Sequence, residues 1–195
     1  MPIAVAEIMA VLPGELTTPY LVFGHSMGGL LGYELARALP VGHRQPTALV
    51  LAAVRPPHLV SRAEAREATG EARLRAAVDA ELAGTAFAGD DDFADMLLAT
   101  LRADARLCAE YRHADEPVLS CPVVAWAGQQ DQAVTREHMS EWRRYTSGSF
   151  RIAEMPGGHH FARTHADRTA AALQDPDLWG VAPSSERAHG RRGNA

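Results

Sequence analysis

Tyr20-Leu21-Val22-Phe23-Gly24-His25-Ser26-Met27-Gly28-Gly29-Leu30-Leu31 changes its hydrophobic period in the middle. Residues 20–23 form a short unbroken apolar run between Pro19 and Gly24, which predicts a buried strand. From Met27 the period becomes helical: Leu31, Leu35 and Leu39 fall on one face, and Pro40 follows. Between strand and helix lies Gly24-His25-Ser26-Met27-Gly28, a G-x-S-x-G turn. A strand that reverses into a helix this tightly needs small neighbours, and Gly24, Gly28 and Gly29 supply them. The turn puts Ser26 at a helix N-terminus, where unpaired N–H groups and the helix dipole favour negative charge. The Met27 N–H would then face an oxyanion developing beside Ser26.

Outward from this turn the same alternation continues. Apolar runs at 47–54, 122–127 and 150–155 predict three further strands. Helical spacing recurs at 3–12, where Val5, Ile8, Met9 and Leu12 share a face, and again at 137–145 and 164–173. Strands alternating with helices predict an α/β fold, a mostly parallel sheet with helices on both faces. Residues 58–116 break the alternation. They are rich in Ala, Arg, Glu and Asp, with helical periodicity at 63–82 and 93–111 separated by Gly89-Asp90-Asp91-Asp92, and they predict a helical insertion. The chain is read as one domain over 1–180, with a disordered Pro-, Ser-, Gly- and Arg-containing tail at 181–195.

In such sheets the chemistry gathers beyond the carboxyl ends of the strands. A serine hydroxyl is a weak nucleophile; it needs a base, which a carboxylate orients. Asp131 follows the third strand in Gly128-Gln129-Gln130-Asp131, whereas Asp90, Asp91, Asp92 and Asp104 lie in the insertion. His159 follows the fourth strand in Pro156-Gly157-Gly158-His159-His160-Phe161, directly after two glycines that let the backbone turn. His160 is the competing base; with His159 chosen, it becomes a packing or rim residue. The order Ser, Asp, His is that of the α/β-hydrolases. A metal site from His159, His160 and His165 is the other use of these imidazoles, but adjacent histidines rarely converge on one ion without a carboxylate. No metal and no cofactor is therefore expected.

Composition narrows the remaining classes. The net charge of −5 argues against a nucleic-acid or anionic-membrane partner. Two cysteines, Cys108 and Cys121, are too few for a disulfide framework, and the start Met1-Pro2-Ile3-Ala4-Val5-Ala6-Glu7 lacks the basic region of a signal peptide, so a cytoplasmic location is expected. No apolar stretch approaches the ~18 residues of a membrane span.

Four segments resemble the type II thioesterases that accompany polyketide and nonribosomal peptide synthetases: the Gly24–Gly28 turn with its helix, Arg55-Pro56-Pro57-His58-Leu59, the helix ending at Glu110-Tyr111, and Pro156-Gly157-Gly158-His159-His160-Phe161. The resemblance implies hydrolysis of acyl thioesters on the phosphopantetheine arm of an acyl or peptidyl carrier protein. It also implies that 58–116 is a lid, in which Leu74, Val78, Phe93, Met96 and Leu97 either shelter an acyl chain or pack the lid itself. Arg62, Arg66, Arg73 and Arg75 are read as a solvated helix face, with docking of an acidic carrier protein as the alternative.

The chain departs from the family pattern at two places. His160 stands where an aromatic residue is usual. About one helix precedes Tyr20, where the family carries several strands and the Gly-rich loop of the second oxyanion donor, so the N-terminal strands are expected to be missing and one edge of the nucleophile strand open. Met1 is therefore expected to be internal to a longer protein; a degenerate fragment, or pairing with another chain, are the alternatives. A general carboxylesterase or lipase-like hydrolase shares the same triad, and an inactive interaction protein could retain it.

Overall fold

Four parallel strands stand side by side in chain order in the computed structural model, which describes residues 1–12, 18–39, 45–60, 62–115 and 118–175. They are β1 (Leu21–His25), β2 (Ala48–Ala52), β3 (Val123–Gly128) and β4 (Phe150–Met155). The helices, in chain order, are α1 (Pro2–Val11), α2 (Met27–Ala38), α3 (Arg62–Glu67), α4 (Glu71–Leu82), α5 (Asp91–Glu110), α6 (Arg136–Ser140), α7 (Phe161–Thr164) and α8 (Ala166–Gln174). The described residues fall into two units, those within 13–54 and 118–175 and those within 1–12 and 55–115. The predicted tail at 181–195 and Pro40 lie outside the described residues.

The first unit is the sheet and its covering helices. In register, Leu21 pairs with Ala48, Leu49 with Val123, and Val123 with Phe150. Every residue of β2 and β3 is buried, which is why both read as apolar runs without alternation. The two faces of β2 still separate. Ala48, Val50 and Ala52 join Val124, Trp126, Phe161 and Ala172 in one cluster, which places α7 and α8 on that face. Leu49 points the other way: a Cβ on Gly32 of α2 would lie 3.1 Å from Val22 and 3.7 Å from Leu49. The α2 face is completed by Tyr33, Trp142 and Tyr145, with ring centroids 5.0, 5.5 and 5.2 Å apart. Trp142 is fully buried and donates its Nε1–H to the Val54 carbonyl at 2.7 Å. Helices therefore cover both faces, as an α/β fold requires. Among the described residues no strand pairs with the outer edge of β1, and Leu21, Val22 and Phe23 there are half-buried.

Element boundaries differ from the periodicity at instructive places. β1 continues through Gly24 to His25, because His25 still pairs with Ala52. β2 ends two residues before Val54, where Ala53 takes φ 49°. The segment at 137–145 starts as α6, capped by Thr135 and His138, and tightens into a 3₁₀ turn at Glu141–Tyr145. The last helix divides into α7 and α8 at His165, whose φ −129° and ψ 48° are not helical.

The second unit is helical. Periodicity at 63–82 suggested one helix; the chain breaks at Thr69-Gly70, with Gly70 extended (ψ 129°) as the N-cap of α4. Asp91 and Asp92, read as part of a separating loop, instead form the first turn of α5, and Asp90 caps it by accepting the Phe93 N–H at 3.0 Å. Leu74, Val78 and Leu82 recur every four residues along α4 and bury against Leu98 of α5, with Phe93 and Leu97 packed beside them. Of the five apolar residues of the insertion singled out from the sequence, Met96 alone stands 59% exposed. Arg73 lies 3.8 Å from Glu67 and Arg75 3.2 Å from Asp95, all four side chains mainly solvated. Among the described residues, no helix is long and apolar enough to cross a membrane.

Candidate active site

Ser26 sits between β1 and α2 with φ 53° and ψ −126°, a conformation a non-glycine residue adopts only where its surroundings enforce it. The enforcement is visible. A Cβ on Gly24 would lie 2.3 Å from the Gly28 carbonyl oxygen, and one on Gly29 would lie 2.7 Å from Val54. Strand and helix therefore cross at a separation only glycine allows. Gly28 differs from the expectation: a Cβ there meets nothing within 4 Å. The turn is tied down by the Ser26 N–H to Ala52 O and the Gly29 N–H to Ser26 O, both 2.9 Å. Met27 opens α2, so its N–H has no acceptor one turn back in the helix.

The other two loops are interlocked through main chain. Gln130 donates its N–H to Gly157 O at 2.9 Å, and its Oε1 accepts the Gly157 N–H at 2.8 Å. Gly157 can take part because it adopts φ 107°. A Cβ on Gly128 would lie 2.7 Å from Gly158 O and 2.9 Å from Gly157 O. Gly128 and Gln130 were not singled out from the sequence. The Gly-rich composition around both loops hints at the first; nothing local marks the second.

Between these loops the three residues picked from the sequence meet. His159 Nδ1 lies 2.9 Å from Asp131 Oδ2, and His159 Nε2 lies 3.1 Å from Ser26 Oγ. The Asp131 side chain is 1% exposed and its other oxygen accepts the N–H groups of Ala133 and Val134, both at 2.9 Å. A carboxylate that accepts three such N–H groups is held in one orientation. It also fixes the tautomer: Nδ1 carries the proton toward Asp131, which leaves Nε2 to accept the Ser26 hydroxyl hydrogen. His160 is exposed and packs edge-on against His159, rings 5.1 Å apart at 89°. His25 was passed over as the variable residue of the turn; its Nε2 lies 2.6 Å from the His159 carbonyl oxygen, and burial pushes its pKa below the usual 6.5. Among the described residues no three His, Cys, Asp or Glu side chains are grouped to hold a metal ion.

A parallel sheet that sets Ser, Asp and His on the loops after β1, β3 and β4, in that chain order, is the arrangement of the α/β-hydrolase fold. Within that class the chain belongs to the thioesterase domain family, whose model matches residues 4–175. It is 34% identical to the thioesterase TesA of Mycobacterium marinum over 80% of this chain and 63% of TesA. The solved RedJ thioesterase of the prodiginine biosynthetic pathway in Streptomyces coelicolor is 35% identical, with a TM-score of 0.73 over 88% of this chain and 66% of RedJ. The solved type II thioesterase BorB of the borrelidin biosynthetic cluster is 28% identical, with a TM-score of 0.67 over 89% of this chain and 69% of BorB. The chain thus spans about two thirds of the length of each of these three relatives.

Proposed function

We propose that this chain hydrolyses acyl thioesters, with Ser26 as nucleophile, His159 as base and acid, Asp131 as the group that orients His159, and the Met27 N–H as an oxyanion donor. The observation that carries the reading is the hydrogen-bonded series Ser26 Oγ, His159 Nε2, His159 Nδ1, Asp131 Oδ2, at 3.1 and 2.9 Å. Ser26 Oγ attacks the thioester carbonyl as its proton passes to His159 Nε2. The tetrahedral oxyanion collapses, the C–S bond breaks, and the thiol leaves with the proton from His159. A thiol of pKa ~8.5 departs with little help, which suits a site with one acid. Water, deprotonated by His159, then releases the acid and restores Ser26.

The family supports a substrate class: the acyl chain is proposed to ride on the phosphopantetheine arm of an acyl or peptidyl carrier protein, and the reaction to clear stalled or wrongly loaded chains. Residues 58–116 enter as the lid, supported by their insertion between β2 and β3. Free thiols at Cys108 and Cys121 suit a cytoplasmic setting.

The test is turnover of an acyl-loaded carrier protein against an oxygen ester of the same acyl group, with a fluorophosphonate probe in parallel. Faster thioester release, labelling of Ser26, and a loss of roughly 10³-fold or more in Ser26→Ala are the expected results. Folded protein that neither takes the label nor releases acid would end the proposal, and preference for the oxygen ester would move it to a carboxylesterase.

A further inference from the structure

One imidazole beside Ser26 takes no part in the proton path. His25 is the last residue of β1, its backbone held in register with Ala52, and its side chain reaches the loop that begins after β4. There its Nε2 lies 2.6 Å from the main-chain oxygen of His159, a contact between residues 134 apart in sequence. A carbonyl oxygen only accepts, so Nε2 must carry hydrogen and donate it. The ring is seated by its neighbours: edge-on to Phe161 at 5.9 Å and 89°, and 5.4 Å from the His159 ring. Phe161 is itself fully buried, so the seat is firm.

The His159 carbonyl is where such a bond matters. The neighbouring carbonyls are taken up by the start of α7: Gly158 O accepts from Phe161, and His160 O from Arg163 and Thr164. The residues before it are Gly157 and Gly158, Gly157 at φ 107°, so the chain entering His159 has little stiffness of its own. The His25 bond ties this peptide to the sheet at the residue that also precedes Ser26.

We infer that His25 is a positioning residue, which holds the His159 peptide so that the His159 imidazole stays within hydrogen-bonding distance of Ser26. The inference rests on the reading of Ser26 and His159 as nucleophile and base. His25 touches no reacting atom; it fixes a base to a nucleophile through their backbones. A displacement near 1 Å at such a distance is worth about 10²-fold in rate.

Three measurements on the full chain decide it. His25→Phe keeps a ring but loses the donor, and His25→Gln keeps an N–H donor. His25→Phe is expected to lower kcat for an acyl N-acetylcysteamine thioester, and the rate of fluorophosphonate labelling of Ser26, by roughly 10–100-fold with KM within about twofold. His25→Gln should recover most of that loss. In the unsubstituted protein, ring ¹⁵N shifts should report His25 protonated at Nε2. Labelling of His25→Phe at the unsubstituted rate, a His25→Gln variant as slow as His25→Phe, or a neutral His25 protonated at Nδ1 would each overturn the inference. The tautomer is read without any variant, so a failure of His25→Phe to fold leaves the test intact. Should the unsubstituted protein itself resist the label, the failure belongs to Ser26 and His159 as nucleophile and base, not to His25.

Discussion

The loops after β1, β3 and β4 and the helices α3–α5 are held together by different kinds of contact. In the loops the partners are largely main-chain atoms. Gln130 clamps Gly157 by two hydrogen bonds, Asp131 takes the N–H groups of Ala133 and Val134, and His25 takes the carbonyl of His159. Each such bond has one geometry and one donor, so a single substitution either preserves it or removes it. In the helices the partners are side chains. A stripe of Leu74, Val78, Leu82 and Leu98 forms the interior, and ion pairs such as Arg75–Asp95 and Glu71–Arg102 lie on the solvated faces. Such contacts weaken by degrees. Substitutions in the loops should therefore act on turnover nearly all-or-none, while those in α3–α5 should act on stability in proportion to burial.

The largest effect expected is at Asp131. Asn there keeps one carbonyl oxygen, which cannot serve His159 Nδ1 and the two backbone N–H groups together, and its amide can hold His159 in the wrong tautomer. On the proposed chemistry, Asp131→Asn should lower kcat about 10³–10⁴-fold with circular dichroism unchanged. Turnover within tenfold of the unsubstituted protein would mean that the carboxylate serves the loop alone, and the contrast between the regions would collapse.

A sharper version uses two glycines of one motif. A Cβ on Gly24 would stand 2.3 Å from a backbone oxygen, while one on Gly28 meets open space. Gly24→Ala should destabilise by about 3 kcal/mol or more, because backbone rather than a pliant side chain must move. Gly28→Ala, inside α2, should leave the midpoint of urea unfolding unchanged or raise it, by up to ~1 kcal/mol from helix propensity.

From the sequence these two glycines are indistinguishable, and that marks where sequence reading ends. The strands and Ser26, Asp131 and His159 were legible because each depends on local pattern: an apolar run, a glycine turn, then a residue able to do chemistry at the strand's end. The break at Thr69-Gly70 was less legible, since the apolar period on either side of it is the same. Gln130 and His25 were not legible at all. Their partners, Gly157 and His159, lie 27 and 134 residues away, and only the pairing of β1 through β4 brings them near. The outer edge of β1 is a different case. Among the described residues no strand lies beside it, and the sequence shows no apolar run before Tyr20 of the kind that marks β2 and β3.

Within α3–α5 burial should rank the effects. Leu98 is 1% exposed in the α4–α5 stripe and Met96, two residues away, is 59% exposed. Leu98→Ala should cost about 2–5 kcal/mol by urea denaturation, whereas Met96→Ala should stay within roughly 0.5 kcal/mol. Equal losses at both would mean that burial does not rank the effects in these helices.

The smallest effect is expected at the Glu71–Arg102 pair, although its geometry is good: Arg102 presents Nε and Nη2 to the two Glu71 oxygens. The guanidinium holds the Glu71 carboxyl below its usual 4.5, and a depressed carboxylate favours the fold above that value and ceases to as pH falls through its lowered folded pKa. Both groups are solvated, however, so screening and the entropy of two long side chains offset the attraction. Arg102→Ala should leave Tm at pH 7 where it is, and 1 M salt should not separate the variant from the unsubstituted protein. A Tm loss approaching that of Leu98→Ala would show that α4 and α5 are joined by charge as much as by their apolar stripe. The helices would then share with the loops the dependence on single directed contacts that otherwise sets the two regions apart.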